Sequence, residues 1–156
     1  MNPAPSEDNQ FLVRHVALLC SSYRHWTGEP LLNPRMTDIE AARYLFSAPF
    51  AVLSHDTRTD PLFNYANQTA LSLFGMNWEE MSGCPSRRSA ETPEQAARDL
   101  LLKEVSEQGF SRNYRGIRIG RHGRRFEIQA ATVWNLLDER RTYRGQAASF
   151  SHWNWL

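Results

Sequence analysis

The sequence predicts an α+β fold in which a five-stranded antiparallel sheet carries helices on one face and follows two N-terminal helices. Two short apolar segments surround a polar turn near the middle of the chain, as paired strands do. Segments with helical periodicity and capping residues lie on both sides of them. Three longer alternating segments then follow one another to the C-terminus, which predicts an antiparallel meander.

The composition is that of one domain with a modest extension. The chain has 156 residues, of which 41% are hydrophobic and 12% aromatic, so a real core can form. A net charge of +1 gives no overall field toward nucleic acid or anionic lipid. Residues 1–10 lack the basic and hydrophobic regions of a secretory signal. We therefore expect a cytoplasmic protein that binds neither nucleic acid nor membrane, with Cys20 and Cys84 reduced.

The N-terminal part divides into a disordered tail, residues 1–7, and a helical extension, residues 8–48. The first helix carries an apolar stripe that consists of Leu12, Val16, Leu19, Tyr23 and Trp26. The stripe either packs on its own domain or forms a seam with a second copy; the small number of repeats favours the first interpretation. A capping box at Thr37–Glu40 begins the second helix, and Pro49 ends it.

Residues 49–156 form the predicted core, which begins with two short strands and a helix. Phe50–Ser54 and Leu62–Ala66 are apolar runs rich in strand formers. Asn67 can cap the helix that follows, and Gly75 can end it.

A longer helix is predicted over residues 92–108. Thr92 and Pro93 are typical of a helix start, and Gly109 is typical of the residue after a helix end. Ala97, Leu101 and Val105 are expected on its inner face.

Three long strands are predicted at residues 112–120, 124–135 and 142–152. In the second of them Phe126, Ile128 and Trp134 occupy alternate positions with Glu127 and Gln129 between them. Because neighbouring side chains on a strand point to opposite faces, the three apolar residues are expected on one face.

The ordered set of motifs resembles the MEKHLA domain family, which is PAS-like and occurs as small stand-alone bacterial proteins and at the end of plant class III homeodomain–leucine zipper factors. The motifs are Tyr65–Asn67 with Ala70–Gly75, Trp78–Glu80, Pro85–Glu91, Gly109–Phe110 with Asn113–Ile119, Gly123–Phe126, Val133–Asn135 and Gly145–Ala148. The resemblance extends from about residue 10 to residue 153. It implies a PAS fold with a sensory or interaction role, and it brings no catalytic residues to transfer.

A PAS-like fold implies a cavity between the sheet and its helices. Strand parity and helix faces give as its lining Leu53, Tyr65, Phe74, Trp78, Leu101, Ile117, Phe126, Ile128 and Trp134. The alternative, which base rates favour, is a filled core. Two polar residues are further candidates: Asn67, whose more ordinary role is to cap a helix, and Gln146, whose amide can bind a ligand or the backbone.

The residues disfavour the known cofactors of such domains and give no metal site. Light-sensing PAS relatives carry cysteine in a Gly-x-x-Cys-Arg setting, but here Ser86 follows Gly83 at that spacing and Cys84 is out of register. A cysteinyl–flavin adduct is therefore disfavoured. Haem is disfavoured because residues 92–108 contain no histidine, and the histidines of the chain show no metal-binding spacing.

Two charged patterns have ordinary interpretations. The arginines at every third position between Arg112 and Arg124 are expected to form a solvated, ion-paired surface rather than a nucleic-acid site. His55 and Asp56 lie at a predicted surface turn, which argues against acid–base chemistry. Burial of His55 or Asp56 with a strongly shifted pKa would favour an enzyme instead.

The sequence thus favours a non-enzymatic sensory or interaction domain. We expect it to bind a small apolar molecule in the cavity and to signal through contacts with a protein partner or a second copy. Two alternatives are a small enzyme on an α+β cone fold and a ligand-free oligomerisation module that uses the apolar stripe of the first helix.

Overall fold

The computed structural model describes residues 3–156. The helices are α1 (Val13–Thr27), α2 (Asp38–Ser47), α3 (Gln68–Phe74), α4 (Trp78–Met81) and α5 (Thr92–Gln108). The strands are β1 (Ala51–His55), β2 (Phe63–Ala66), β3 (Phe110–Ile119), β4 (Arg125–Leu137), β5 (Tyr143–Phe150) and β6 (His152–Trp155). Short 3₁₀ segments at Glu7–Leu12 and Ser86–Ser89 precede α1 and α5.

The strands form one antiparallel sheet in the order β2-β1-β5-β4-β3, with β6 also paired to β4. The predicted architecture of an antiparallel sheet with helices is confirmed. α3 and α5 pack on one face, which we call the pocket face, and α4 contributes Met81 to the same face and Trp78 to the opposite one. The two N-terminal helices lie on the other, which we call the N-terminal face.

The third long strand of the prediction is interrupted rather than single. β5 and β6 run along β4 in one register, with Thr132 opposite Ser149 and Gln129 opposite His152. The short break between β5 and β6 therefore lies beside Ala130, and the pairing extends beyond the predicted end to Trp155.

Two compensating irregularities in the β3–β4 pair decide which side chains face the helices. Asn113 and Ala130 both adopt left-handed backbone conformations, with φ of 59° and 51°, and the register shifts around each of them. Beyond Ala130 the alternation is reversed. Val133 therefore shares a face with Ile128, whereas Trp134 points to the opposite face, against the prediction from simple alternation.

Apolar side chains fill the space between α1 and the sheet on the N-terminal face. Val16 and Leu19 of α1 are 1% and 0% exposed and belong to the same buried cluster as Val52, Trp134 and Leu136. The Trp134 indole N–H donates to the Leu19 carbonyl at 3.3 Å. α1 therefore contributes to the core of the domain instead of projecting away from it as a separate extension.

Local capping explains where the helices begin. The Thr37 hydroxyl accepts from the Glu40 N–H at 3.2 Å, and the Glu40 carboxylate accepts from the Thr37 N–H at 3.3 Å, as the capping box predicts. α5 is capped one residue earlier than predicted, at Glu91. Its inward side chains are Arg98, Leu101 and Val105, whereas the expected inward residue Ala97 is exposed.

The predicted tail, residues 1–7, lies partly outside the described residues, which exclude residues 1 and 2. Within the described part, Ala4 packs against the cluster of the N-terminal face, and Pro5 is buried. Glu7 forms an ion pair of 3.0 Å with Arg43 of α2. Residues 3–7 are therefore in contact with the domain.

Candidate functional site

A partly open cavity of about 80 Å³ lies on the pocket face, under α5 and the Ser86–Ser89 segment. Its apolar lining is Leu53, Phe63, Phe74, Leu101, Leu102, Ile128, Ala131, Val133, Ala147, Ala148 and Phe150, and its polar lining is Ser54, His55, Ser86, Ser89, Arg98, Tyr114, Arg118 and Gln146. One water molecule needs about 10–15 Å³ of such cavity space. The cavity therefore suits a molecule of a few non-hydrogen atoms, with an apolar part and a polar part.

His55 joins β1 to the polar end of the cavity and is 7% exposed. Its Nε2 lies 3.2 Å from the Gln146 Oε1, and its Nδ1 lies 3.1 Å from the Ser86 hydroxyl. Since the amide oxygen can only accept, Nε2 carries the proton. In the neutral ring Nδ1 then accepts from Ser86.

His55 is therefore placed differently from the predicted surface turn. β1 continues one residue further than expected and, by alternation with Leu53, turns the ring inward. Burial, followed by the positive charge of Arg98, lowers the pKa of His55 to about 4. Asp56 remains at the turn, where its carboxylate accepts from the Leu62 N–H at 3.0 Å.

Gln146 is fixed by several partners beyond His55. Its amide nitrogen donates to the Leu102 carbonyl at 3.1 Å and to the Asn135 Oδ1 at 3.1 Å. The Asn135 amide in turn donates to the Val105 carbonyl at 2.9 Å. These hydrogen bonds connect α5 to the centre of the sheet. Because the Gln146 amide nitrogen is used in them, the amide oxygen is the atom that binds His55.

Arg98 reaches the cavity from α5 and is 6% exposed. Its guanidinium donates to the Ser86 hydroxyl, and it pairs at 3.2 Å with Asp99, whose side chain is 71% exposed. Burial and then the charge of Arg118 lower the pKa of Arg98 below its ordinary value. An exposed carboxylate thus compensates this buried cation only in part.

Arg118 reaches the same cavity from β3 and is 8% exposed. Its guanidinium donates to the Tyr114 hydroxyl at 3.1 Å and to the Ile117 carbonyl at 3.0 Å. Within residues 3–156 no carboxylate lies at ion-pair distance from it. The expectation of a fully solvated arginine series is wrong at this position, because the Asn113 bulge and strand alternation turn Arg118 inward.

The other arginines of that series lie at the surface. Arg112 pairs with Glu29 at 3.6 Å and Arg115 with Glu127 at 3.8 Å, while Arg121 pairs with Glu80. Their side chains are 42%, 68% and 56% exposed. Arg124 stacks on the Trp155 ring, 3.8 Å from its centre.

Five of the predicted cavity residues line the cavity. They are Leu53, Phe74, Leu101, Ile128 and Gln146. Phe126 is fully buried in the neighbouring apolar cluster and contacts Phe74 edge-on at 5.2 Å. Ile117 is half-buried and lies on the opposite side of β3 from Arg118.

Three predicted cavity residues instead belong to the cluster of the N-terminal face. They are Tyr65, Trp78 and Trp134. The bulge at Ala130 accounts for Trp134, and an extra residue in β2 opposite Ser54 and His55 turns Tyr65 away from Phe63. The Tyr65 hydroxyl is buried without a hydrogen-bond partner among the described residues, and burial raises its pKa.

Asn67 is fully committed to the structure. Its Oδ1 accepts from the Ala70 N–H at 3.1 Å, which caps α3, and from the Val52 N–H at 3.1 Å. Its amide donates to the carbonyls of Leu45 at 3.0 Å and Phe50 at 2.8 Å. It is therefore a junction between α2, β1 and α3.

The apolar stripe of the first helix faces its own sheet. Besides Val16 and Leu19, Tyr23 contacts the Trp134 ring edge-on at 5.0 Å and Trp26 donates to the Asn135 carbonyl at 2.9 Å. Leu12, just before α1, packs against the same cluster. The stripe thus offers little exposed surface to a second copy.

Sequence reasoning missed the polar end of the cavity, namely His55, Ser86, Arg98, Tyr114 and Arg118. One signal was present. Arg98 precedes Leu101 and Val105 by spacings of three and seven, which places all of them on one helix face. The position of Arg118 follows from the Asn113 bulge, which no residue pattern announces.

The cavity in this conformation does not fit a flavin. A multi-ring cofactor needs far more than about 80 Å³. Cys84 is half-buried against the apolar cluster and is not among the residues that line the cavity. Over residues 3–156 no cluster of histidine, cysteine or acidic residues could hold a metal ion. The helices of that same region are all too short or too polar to cross a membrane.

The profile of the MEKHLA domain matches residues 13–155. Homeobox-leucine zipper protein HOX32 of Oryza sativa subsp. indica is 20% identical over 156 residues, which cover 99% of this chain and 18% of that protein. Homeobox-leucine zipper protein ATHB-14 of Arabidopsis thaliana is 23% identical over 100 residues, 64% of this chain and 12% of that protein. The chain thus spans less than a fifth of the length of these relatives.

Solved structures with the same fold include PAS and light-oxygen-voltage domains. A PAS domain from Colwellia psychrerythraea superposes with a TM-score of 0.59 at 14% identity, covering 74% of this chain and 92% of that one. An RNA-binding light-oxygen-voltage receptor gives a TM-score of 0.61 at 16% identity, covering 80% of this chain and 36% of that one. At these identities the likeness establishes the PAS fold.

Proposed function

The chain belongs to the MEKHLA domain family, and on that premise we propose that it is a sensory domain that reports occupancy of the pocket-face cavity. A small molecule enters between the sheet and α5, and the change reaches α1 on the opposite face. α1 and α2 then present the change to a protein partner.

The observation that carries this proposal is the hydrogen-bond chain that leads from the cavity through the sheet. His55 contacts the cavity and Gln146, and Gln146 binds Asn135. The backbone carbonyl of Asn135 accepts from the Trp26 indole of α1 at 2.9 Å. A molecule that displaces Gln146 would therefore alter how α1 packs on the sheet.

A second connection runs through β1. Ser54 and His55 are adjacent and point to opposite faces. The Ser54 hydroxyl lies 2.9 Å from the His15 ring of α1 and donates to Asn64 at 2.6 Å. Movement of β1 at the cavity thus also reaches α1 near its start.

The proposal is tested by native mass spectrometry of the chain purified from its own host. We expect a retained small molecule in the wild type. Ala148→Met, which fills the cavity, should lose it. The control Ala97→Met changes an exposed position on α5 and should retain it. Three identical spectra without a bound molecule would contradict the proposal.

A second candidate is an enzyme with a serine nucleophile, which the burial and lowered pKa of His55 and its 3.1 Å contact with Ser86 favour. It ranks second because Gln146, a neutral amide, occupies the place of the orienting carboxylate. Arg98 beside the ring also opposes its protonation. The test is hydrolysis of p-nitrophenyl acetate: a rate that Ser86→Ala abolishes would establish the enzyme, and an equal rate would end this candidate.

A further inference from the structure

We propose that the molecule bound in the cavity carries a carboxylate, which Arg98 and Arg118 hold, on a short aliphatic chain that contacts the apolar wall. The inference rests on the proposed function and names its ligand class. It is carried by the two buried cations that the cavity brings together.

The charge balance of the cavity is positive. Arg98 has only the largely exposed Asp99 as an ionic partner, and Arg118 has no carboxylate at ion-pair distance among the described residues. Burying like charges near one another is unfavourable unless an opposite charge compensates them. An anion between the two guanidinium groups supplies that compensation.

The available donors match a carboxylate. A guanidinium has five N–H groups in a planar fork. In each arginine here two nitrogens donate to protein atoms, Arg98 to Ser86 and Asp99, and Arg118 to Ile117 and Tyr114. The remaining N–H groups can bind both oxygens of a carboxylate, as arginine does in its stronger ion pairs.

Tyr114 adds a neutral donor to the same end of the cavity. Its hydroxyl oxygen accepts from Arg118, so its own proton is available to the anion. Gly116 makes room for this hydroxyl, since a Cβ at that position would clash with the Tyr114 oxygen and reach the Arg118 guanidinium at 3.0 Å. The glycine thus permits the close approach of the ring to the strand.

Asp99 pairs with Arg98 through a side chain that is 71% exposed and does not line the cavity, and the other neighbouring acidic groups have partners of their own. Asp56 pairs with Arg58 at 3.1 Å, and Glu127 is directed to Arg115 and Gln129. The His55 ring is neutral at pH 7 because burial and Arg98 lower its pKa to about 4. The anion therefore meets two cations and no nearby carboxylate in the cavity.

The size of the cavity selects a short chain. About 80 Å³ holds a few non-hydrogen atoms, and Phe74, Leu101 and Ile128 provide the apolar wall. Butyrate is a suitable probe, and butyramide is its neutral isostere. A comparison of the two isolates the contribution of the charge.

The experiment measures butyrate and butyramide binding by titration calorimetry at pH 7 and constant ionic strength. We expect butyrate to bind about ten- to a hundredfold more tightly, as a charge-assisted hydrogen bond of 1.5–3 kcal/mol gives. Arg118→Met should remove that preference. Arg115→Met, on the same strand with a 68% exposed side chain, should keep it.

Tyr114→Phe keeps the ring, so it serves as a second variant should Arg118→Met fail to fold. It should weaken butyrate several-fold and leave butyramide unchanged. If butyrate and butyramide bind equally and Ala148→Met abolishes the binding of both, the proposal that the ligand carries a carboxylate is wrong. The proposal that the cavity binds a small molecule would still stand. Binding of butyrate that neither Arg118→Met nor Tyr114→Phe weakens would also overturn the proposed carboxylate. The carboxylate proposal would also be wrong if neither probe binds and the chain purified from its host retains a neutral molecule.

Discussion

The two faces of the sheet use similar residues in opposite ways. On the N-terminal face Leu19 of α1 and Trp134 and Leu136 of β4 are fully buried in one apolar cluster. On the pocket face Leu101 and Ile128 are 7% and 6% exposed and border a cavity that also contains charged groups. One face therefore supplies stability, and the other gives up contacts to keep space and polar groups available.

The cavity and its two buried arginines are thus confined to one side of the sheet. Buried arginines and an incompletely filled core both reduce stability. The apolar contacts of the N-terminal face offset that loss of stability. Asn135 links the two, because its side chain binds α5 while its backbone carbonyl binds α1.

One leucine substitution on each face measures how closely that face is packed. Leu19→Ala should lower the free energy of unfolding by about 4 kcal/mol, because it opens a cavity in a filled core. Leu101→Ala should cost about 2 kcal/mol, because that side chain already borders empty space. Denaturant unfolding measures both. Leu100→Ala, 69% exposed, is the control with little change, and equal costs for Leu19 and Leu101 would contradict the difference between the faces.

The next effect concerns one histidine on each face. Burial lowers the pKa of His15 and of His55 to about 4, and Arg98 also contributes at His55. Because the pKa of each histidine is lower in the folded state than in the unfolded state, each neutral ring contributes to the free energy of unfolding above pH ~6.5. That contribution is lost as the pH falls toward 4. His55 should account for about 3 kcal/mol of this loss, and the partly exposed His15 for less.

Unfolding of the wild type, His15→Gln and His55→Gln across pH 4–7 measures these contributions. Each variant should flatten the pH dependence, His55→Gln more than His15→Gln. A wild-type stability that does not change over this range would show that neither ring is held neutral.

The smallest effect concerns the bulge at Ala130, which reverses the alternation of side chains between the two faces. Ala130 has a left-handed backbone with φ of 51° and an exposed side chain, so Ala130→Gly should stabilise the chain by about 1 kcal/mol. Ala131 is 1% exposed in ordinary strand, and Ala131→Gly should destabilise it. Thermal melts of the two variants should move in opposite directions. A shift of the same sign would contradict the bulge.

The sequence was sufficient for the elements and for their order. Caps at Thr37 and Asn67 and the alternation around Phe126 are local signals, and the structure contains the elements they predict. It was not sufficient for the division between the faces. That division depends on bulges at Asn113 and Ala130, which reverse alternation without any glycine or proline to mark them.

The candidate site shows the same limit. Leu53 and Leu101 follow from simple periodicity, whereas His55 and Arg118 depend on one further strand residue and on a bulge. Polar residues were also expected outside by base rate. At the cavity that expectation fails, since Arg98 and Arg118 are 6% and 8% exposed.

The proposed function requires that occupancy of the cavity on one face changes the environment of α1 on the other. The direct measurement is an NMR titration with butyrate that follows the indole N–H signals of Trp26 and Trp134, which donate to Asn135 and Leu19. We predict that the Trp26 signal shifts saturably, with the same dissociation constant as the amide signals of residues around the cavity. Cavity signals that saturate while both indole signals stay in place would contradict the proposed function.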